Sequence, residues 1–467
     1  MQKLRLGFIP SHRSFFNENW AEKMRDRAVK VLDGIKDADF IVPGKNLIAS
    51  GVVRDGEDAK KVINLFKNSN IDGLIVGTMT FGDEMAALDI IESFPNVPIL
   101  LFGTKEGPFT SEGSRLSDSF CGTISIASGL NRRKIKFYFS GIYFPEEINF
   151  IKSIKSFIST TNITKGFLNA KVGAIGPRPA PFETCSINEI NLIEKFKIRV
   201  VPITLIDIKS AIENISDNEA GIKEIIDDIS ELQIDYSTVE KNTLLKLAKL
   251  EIVLRDFVKK EGLSSLAFQC WTAIEKIIGA VPCYVLGRLT NSGIPTACET
   301  DIYGALTMLI QFNASLQKSP PHFMDWTIMH QEKDNAFMSF HCGNAPLSLC
   351  SPLSKPVIRE HFLFVETLGR DNSCGTCEFQ LKEGAVVLNR LTESECTFKM
   401  LITKGNVENE NKKLRGSWSW VRVDNLDKLY RTIIEEGFTH HASMVYGDFS
   451  EEIENFCKFV GISTVIV

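Results

Sequence analysis

The sequence has no uninterrupted apolar run near the roughly 18 residues a membrane-spanning helix requires. Its best stretch, Ile198 to Ile208, is broken by arginine, proline and aspartate, so a membrane partner is not expected. It also lacks any basic excess: 53 Lys and Arg stand against 58 Asp and Glu, a net charge of −5. That balance argues against nucleic acid as a partner. Neither a GxGxxG nor a GxxxxGK[ST] loop occurs, so no dinucleotide or nucleoside-triphosphate site is signalled. The opening MQKLRLGFIPSHR has no apolar signal segment and no small-residue cleavage site, so export is not expected. The 11 cysteines are odd in number and scattered from Cys121 to Cys457, the pattern of reduced thiols in a cytoplasmic protein. Cys374 and Cys377 have CxxC spacing, but no second pair completes a zinc site and no following helix makes a redox motif, so they read as structural thiols.

What is present is an ordinary globular composition, 44% hydrophobic and 24% charged, in a chain of 467 residues. That length predicts two or three domains. Strand-like runs at Leu4–Ile9, Gly73–Val76 and Val97–Gly103 alternate with amphipathic stretches at Trp20–Leu32, Ala59–Lys67 and Glu84–Ser93. This order implies a parallel sheet with helices on both faces, and ligands gather at the carboxyl ends of such strands. A second unit of the same kind opens near residue 165, with strands at Ala170–Gly176, Ile198–Ile203 and Leu263–Phe268. Past residue 345 short strand candidates separated by turns take over. The expected fold is α/β: two doubly wound parallel-sheet domains, 1–165 and 166–345, then a β-rich domain, 346–467. The central domain carries Glu299 and Asp325, and the last carries His441.

Only seven histidines occur, and acidic and imidazole groups crowd the later two thirds. Glu299 lies in TACETDIYGALTM at the start of a helix, where a carboxylate also suits the positive end of the helix dipole. Asp325 follows SPPHFM, and His341 ends the strand-like NAFMSF. A strand out and a strand back would bring those two to one end of a sheet. His440 and His441 fall in a loop, GFTHHASMVYGD. If Glu299, Asp325, His341 and His441 converged, two carboxylates and two imidazoles would suit a divalent ion such as Mn²⁺ with positions left open for chemistry.

CETDIYGALTM is similar to the glutamate motif of the L-fucose isomerase and L-arabinose isomerase superfamily. The resemblance continues through DW, FHCGNAP and GAVVLNRL to HHASMVYGD, which resembles the family's late histidine motif. It covers most of residues 165–467. It implies that Glu299 and Asp325 are metal ligands and proton-transfer groups and that His441 is a ligand, while His341 matches a ligand of the arabinose branch. Asp325 matches the fucose branch, where the arabinose branch has Glu, so three or four protein ligands remain open.

The activity implied is conversion of an aldose to a ketose through a cis-enediol, on a free pentose, 6-deoxyhexose or related sugar. Mn²⁺, or Co²⁺ or Mg²⁺ in its place, would act as Lewis acid. Gln269, Trp326 and His440 are candidates to surround the sugar, as are Trp418 and Trp420, which alternate onto one strand face. The resemblance further implies a homo-oligomer, hexamer or trimer, in which a neighbouring first domain closes over the site. His12, Arg13 and Asp83, in loops after strands, would then reach the far end of the sugar. Two rival readings are a sugar sensor without turnover and a metal-dependent aldolase or lyase using the same enolate chemistry.

Overall fold

The computed structural model describes residues 3–467, which divide into two units, the first ending at Lys165 and the second running Gly166–Val467. Among the described residues of the first unit, β1 (Leu4–Ser11), β2 (Ala38–Ile41), β3 (Gly73–Thr78), β4 (Ile99–Thr104) and β5 (Tyr138–Tyr143) form one parallel sheet, in the order β2-β1-β3-β4-β5. β3 and β4 are buried along their whole length, as strands covered by helices on both faces must be. The connecting helices begin on side-chain caps. Asp55 accepts from the amides of Glu57 and Asp58 at 2.9 Å, and Asp83 accepts from Ala86 N at 2.9 Å.

The second unit contains a smaller parallel sheet of β6 (Lys171–Ile175), β7 (Arg199–Ile203), β8 (Ser265–Phe268) and β9 (Thr296–Cys298), in the order β7-β6-β8-β9. It also holds a larger sheet of β10 (His322–Met329), β11 (Ala336–His341), β12 (Val357–Glu360), β13 (Cys374–Gln380), β14 (Gly384–Ser394), β15 (Thr397–Glu408), β16 (Ser417–Arg422), β17 (His441–Tyr446) and β18 (Ser463–Ile466). Its order is β12-β13-β16-β11-β10-β17-β14-β15-β18, and β15 also pairs with β16. The run β16-β11-β10-β17-β14-β15 therefore closes on itself as an antiparallel barrel, which removes its edges.

A helix spanning Ile302–Ala314, buried at every position, packs against β8, β9, β14 and β17. A helix without a polar face belongs in an interior, and here it joins the parallel sheet to the barrel. Gln311 fixes the seat: its Nε2 donates to Asn389 Oδ1 at 2.8 Å and Ser443 O at 2.9 Å, and its Oε1 accepts from Ser443 Oγ at 2.6 Å.

Several local expectations change. Asp325 and His341 belong to β10 and β11 of the barrel rather than to the parallel sheet. His441 begins β17 instead of lying in a loop, because its strand is pinned between β10 and β14 by tertiary pairing that a run of six residues does not announce. A three-residue strand, β9, precedes Glu299, too short to display a period.

Candidate active site

Three parallel strands deliver the first group of side chains. Ile175 pairs with Phe268, and Phe268 with Cys298, so Gly176, Gln269, Cys270 and Glu299 all leave the carboxyl end of the sheet together. At that end Glu299 and Thr300 both adopt left-handed backbone, with φ of 55° and 52°. Two successive non-glycine residues in that region are costly and are kept where surrounding structure over-determines them, a pattern concentrated at functional sites. The turn directs Glu299 inward and leaves Asp301 to cap the following helix through Gly304 N at 2.8 Å.

The barrel delivers the second group. β10 and β17 are antiparallel with Asp325 opposite His441, so the two side chains stand on one face. His441 Nε2 lies 3.4 Å from Glu299 Oε2 and 3.7 Å from Asp325 Oδ1. His341 Nε2 lies 3.7 Å from the same Glu299 oxygen. The ligand atoms of Glu299, His341 and His441 fall within 4.8 Å of one another, and so do those of Asp325, His440 and His441. All four residues expected to converge do so.

Glu299 Oε2 and Asp325 Oδ1 are buried without any hydrogen-bond partner. Buried carboxylate oxygens are rarely left so, and a divalent cation between them and the imidazoles would satisfy both. The donor set of carboxylates and imidazole suits such an ion. Electrostatics agree: burial opposes ionisation of Glu299, but the His341 ring 3.7 Å away and the charge of His441 hold its carboxyl down at about 2. Burial disfavours charge on both rings, yet hydrogen bonds and the nearby carboxylates hold His341 and His441 above the ordinary imidazole value.

The surroundings were less legible. Gln269 is buried beside this group, and its Oε1 has no partner. Its oxygen sits where a Cβ on Gly176 would intrude, so only glycine fits the loop after β6. His440 is exposed, with its ring 4.1 Å from that of His441. Phe182, from the loop GPRPAPF, places its ring 5.8 Å from His440 and 6.2 Å from His441. Phe340 pairs with both Asp325 and Trp418, so Trp418 and, two residues on, Trp420 share the Asp325 face. Trp420 packs on His330, 4.4 Å between ring centres. Trp326 is corrected: alternation along β10 carries it to the opposite face, where its ring packs tilted against Phe337, 5.1 Å between centres.

In the first unit His12 Nδ1 and Thr80 Oγ1 are 2.7 Å apart, and His12 Nε2 is buried without a partner. Arg13 donates to Gly82 O at 3.1 Å and lies 4.3 Å over the Phe81 ring. Asp83 is occupied as a helix cap. All three stand at the carboxyl ends of β1 and β3. The cysteines are all free thiols, and Cys374 and Cys377 are buried on β13.

Sequence reasoning missed Asp301 and Arg390. Asp301 Oδ2 lies 2.9 Å from His441 Nδ1, and its carboxylate is held by the Arg390 guanidinium in a fork, the Nη2 to Oδ1 arm being 3.1 Å. Both side chains are completely buried. A lone arginine in the apolar run GAVVLNRL was the available signal, since arginine is almost never fully buried unpaired. Cys270, whose Sγ donates to Glu299 Oε1 at 3.2 Å, was also missed.

Comparison with known proteins agrees with this geometry. Residues 7–168 match the family described as fucose/sulfoquinovose isomerase, N-terminal domain, and residues 339–467 match the L-fucose isomerase C-terminal domain. The first match covers the third of the chain that carries none of the quoted motifs. Sulfoquinovose isomerases of Priestia aryabhattai and Priestia megaterium are each 24% identical over 470 residues, covering 100% of both chains. That of Alkalicoccus urumqiensis is 24% identical over 84% of this chain and 86% of its own. Among the described residues no helix is long and apolar enough to cross a membrane. With these matches spanning a site of converging carboxylates and imidazoles, the chain belongs to the L-fucose isomerase-like family and is an aldose–ketose sugar isomerase, an intramolecular oxidoreductase.

Proposed function

We propose that the reaction depends on a divalent cation, Mn²⁺ or a similar ion, held by Glu299, Asp325 and His441 and acting on a free aldose through a cis-enediol. The observation that carries this reading is the pair of orphaned oxygens, Glu299 Oε2 and Asp325 Oδ1, each within 3.7 Å of His441 Nε2. When bound, such an ion supplies Lewis acidity toward the sugar's oxygens. The residues themselves handle the protons. Isomerisation removes a proton from C2 and returns one to C1, while hydroxyl and carbonyl exchange places between O1 and O2. Two carboxylates near one sugar edge divide that work, one taking the carbon-bound proton and one serving the oxygens. Gln269, with an unsatisfied Oε1, is positioned to accept from a sugar hydroxyl. Phe182 offers a flat apolar face for the C–H side of the ring, whereas Trp418 and Trp420 are buried in an apolar cluster with Met338 and Phe340 and have no face free for a sugar.

For the substrate we infer an aldose of the deoxyhexose size class. The relatives' printed name adds the sulfonated 6-deoxyhexose sulfoquinovose to the pentoses and 6-deoxyhexoses suggested by the motifs. We take the working form to be a cytoplasmic homo-oligomer, a hexamer or trimer, as in the resembled enzymes. The test is a panel of C2-deuterated aldoses, sulfoquinovose, L-fucose and the pentoses included, incubated with Mn²⁺-loaded protein. Loss of deuterium with appearance of the matching ketose is expected for at least one. Protein that binds Mn²⁺ yet exchanges no member of the panel sinks the proposal, and carbon–carbon cleavage products would transfer it to the lyases.

A further inference from the structure

We propose that Phe182, Trp271, His361, Phe362 and Phe340 form a collar of rings around the entrance to the site, against which the sugar lies, and that His361 Nε2 donates a hydrogen bond to one of its hydroxyls. The inference rests on the reading that the sugar reacts at Glu299 and Asp325. It holds whichever divalent ion is bound.

The rings follow one another without a break. Phe182 and Trp271 have centres 5.9 Å apart, Trp271 and His361 6.5 Å, His361 and Phe362 5.4 Å, and Phe362 and Phe340 6.5 Å. The circuit closes through the site itself: Phe340 pairs with Asp325, Asp325 Oδ1 is 3.7 Å from His441 Nε2, and the His441 ring is 6.2 Å from that of Phe182. Glu299 belongs inside this circuit. Its Oε2 lies 3.4 Å from His441 Nε2 on one side, and its Oε1 accepts from Cys270, the residue before Trp271, on the other. Glu299 is 3% exposed, whereas Phe182, Trp271 and Phe340 are half-buried and Phe362 is exposed. Large aromatic side chains left open around a buried polar floor fit a ligand with apolar C–H faces and a polar edge, as an aldose has.

His361 differs from the other four. It is buried, stacks on Phe364 with centres 4.1 Å apart and lies within 10° of parallel to Phe362. Leu363 N donates to its Nδ1 at 3.3 Å. A backbone amide only donates, so that nitrogen carries the lone pair and the neutral ring has its proton on Nε2. Burial holds the ring down at about 4, which keeps it neutral near pH 7. The hydrogen bonds among the described residues engage its Nδ1 and not its Nε2, which leaves that N–H for a sugar oxygen.

Steady-state kinetics test this, with the aldose of the panel above that turns over and with its monodeoxy analogues. His361→Phe keeps a stacked ring and loses the donor; it should raise KM about tenfold while kcat stays within about threefold. One monodeoxy analogue should show the same rise with the wild type and no further rise with His361→Phe, which identifies the hydroxyl that His361 meets. His361→Gln, which restores a donor, should recover most of the loss. Phe362→Leu, at an exposed position, should raise KM about three- to tenfold and provides a second readout if His361→Phe does not fold. An unchanged KM in either variant, a loss confined to kcat, or a His361→Phe loss equal for every analogue would overturn the collar alone. Turnover that survives Glu299→Gln would overturn the reading of the site and the collar with it.

Discussion

Asp325 and His441 stand directly opposite each other on neighbouring antiparallel strands, with Oδ1 and Nε2 3.7 Å apart. Pairing register, rather than loop conformation, brings them together. A one-residue slip of β17 would turn His441 to the other face of the sheet, so the site inherits the rigidity of the barrel.

Glu299→Gln should reduce ketose formation by about a thousandfold, within the range expected for loss of a positioned proton-transfer group. Asp325→Asn should do likewise. Both are checked by steady-state rates at saturating Mn²⁺ beside unchanged circular dichroism. Near-normal turnover in Glu299→Gln would remove that carboxylate from the mechanism.

The metal-free protein should be most stable in mildly acidic solution. His341 and His441 are held above their ordinary values, so their contribution is complete below about pH 6.5 and is lost as pH rises through the folded values. Glu299 is held down at about 2 and Asp301 lower still than usual, so theirs is present above about pH 4 and is lost as pH falls through the folded values. Melting temperature against pH should therefore fall on both sides of this window. Mn²⁺ should flatten the alkaline side, since a cation replaces protons at its ligands. A metal-free protein melting no lower at pH 9 than at pH 6 would contradict this.

Glu275 supplies an independent titration. It is wholly buried, its Oε1 accepting only from Trp271 N at 3.4 Å and its Oε2 from nothing, and burial pushes its carboxyl up to about 7. A raised carboxyl costs stability as pH climbs above the unfolded value and through the folded one. Glu275→Gln should be neutral near pH 4 and stabilising at pH 8.5, by on the order of 3 kcal/mol at most. Denaturant melts at the two pH values measure the difference, and an equal effect at both would refute it.

Gln311→Leu tests the seat of the central helix. It removes the bonds to Asn389 and Ser443 while keeping an apolar side chain of similar size. Leaving those buried groups unpaired should cost about 2–4 kcal/mol. Urea unfolding reads it, and a loss below about 0.5 kcal/mol would show that the helix is held by apolar packing alone.

The layered α/β order was legible because repeated apolar runs alternate with amphipathic ones over long windows. Glu299, Asp325, His341 and His441 were legible because acidic and imidazole groups beside turns are few and their motifs distinctive. What escaped notice has physical reasons. Asp301 looks like a helix cap and is one, so its second partner left no trace in local sequence. Arg390 sits in a strand whose alternation hides which face it takes. β17 and β9 are too short to show a period, and the strand at His441 follows residues that resemble a turn.

The strand bearing His441 is inserted between β10 and β14, both of which precede it in the chain. During synthesis the barrel must wait with a gap in its wall until that segment emerges from the ribosome. The barrel wall can therefore close only when every other strand of the larger sheet except β18 has already been made.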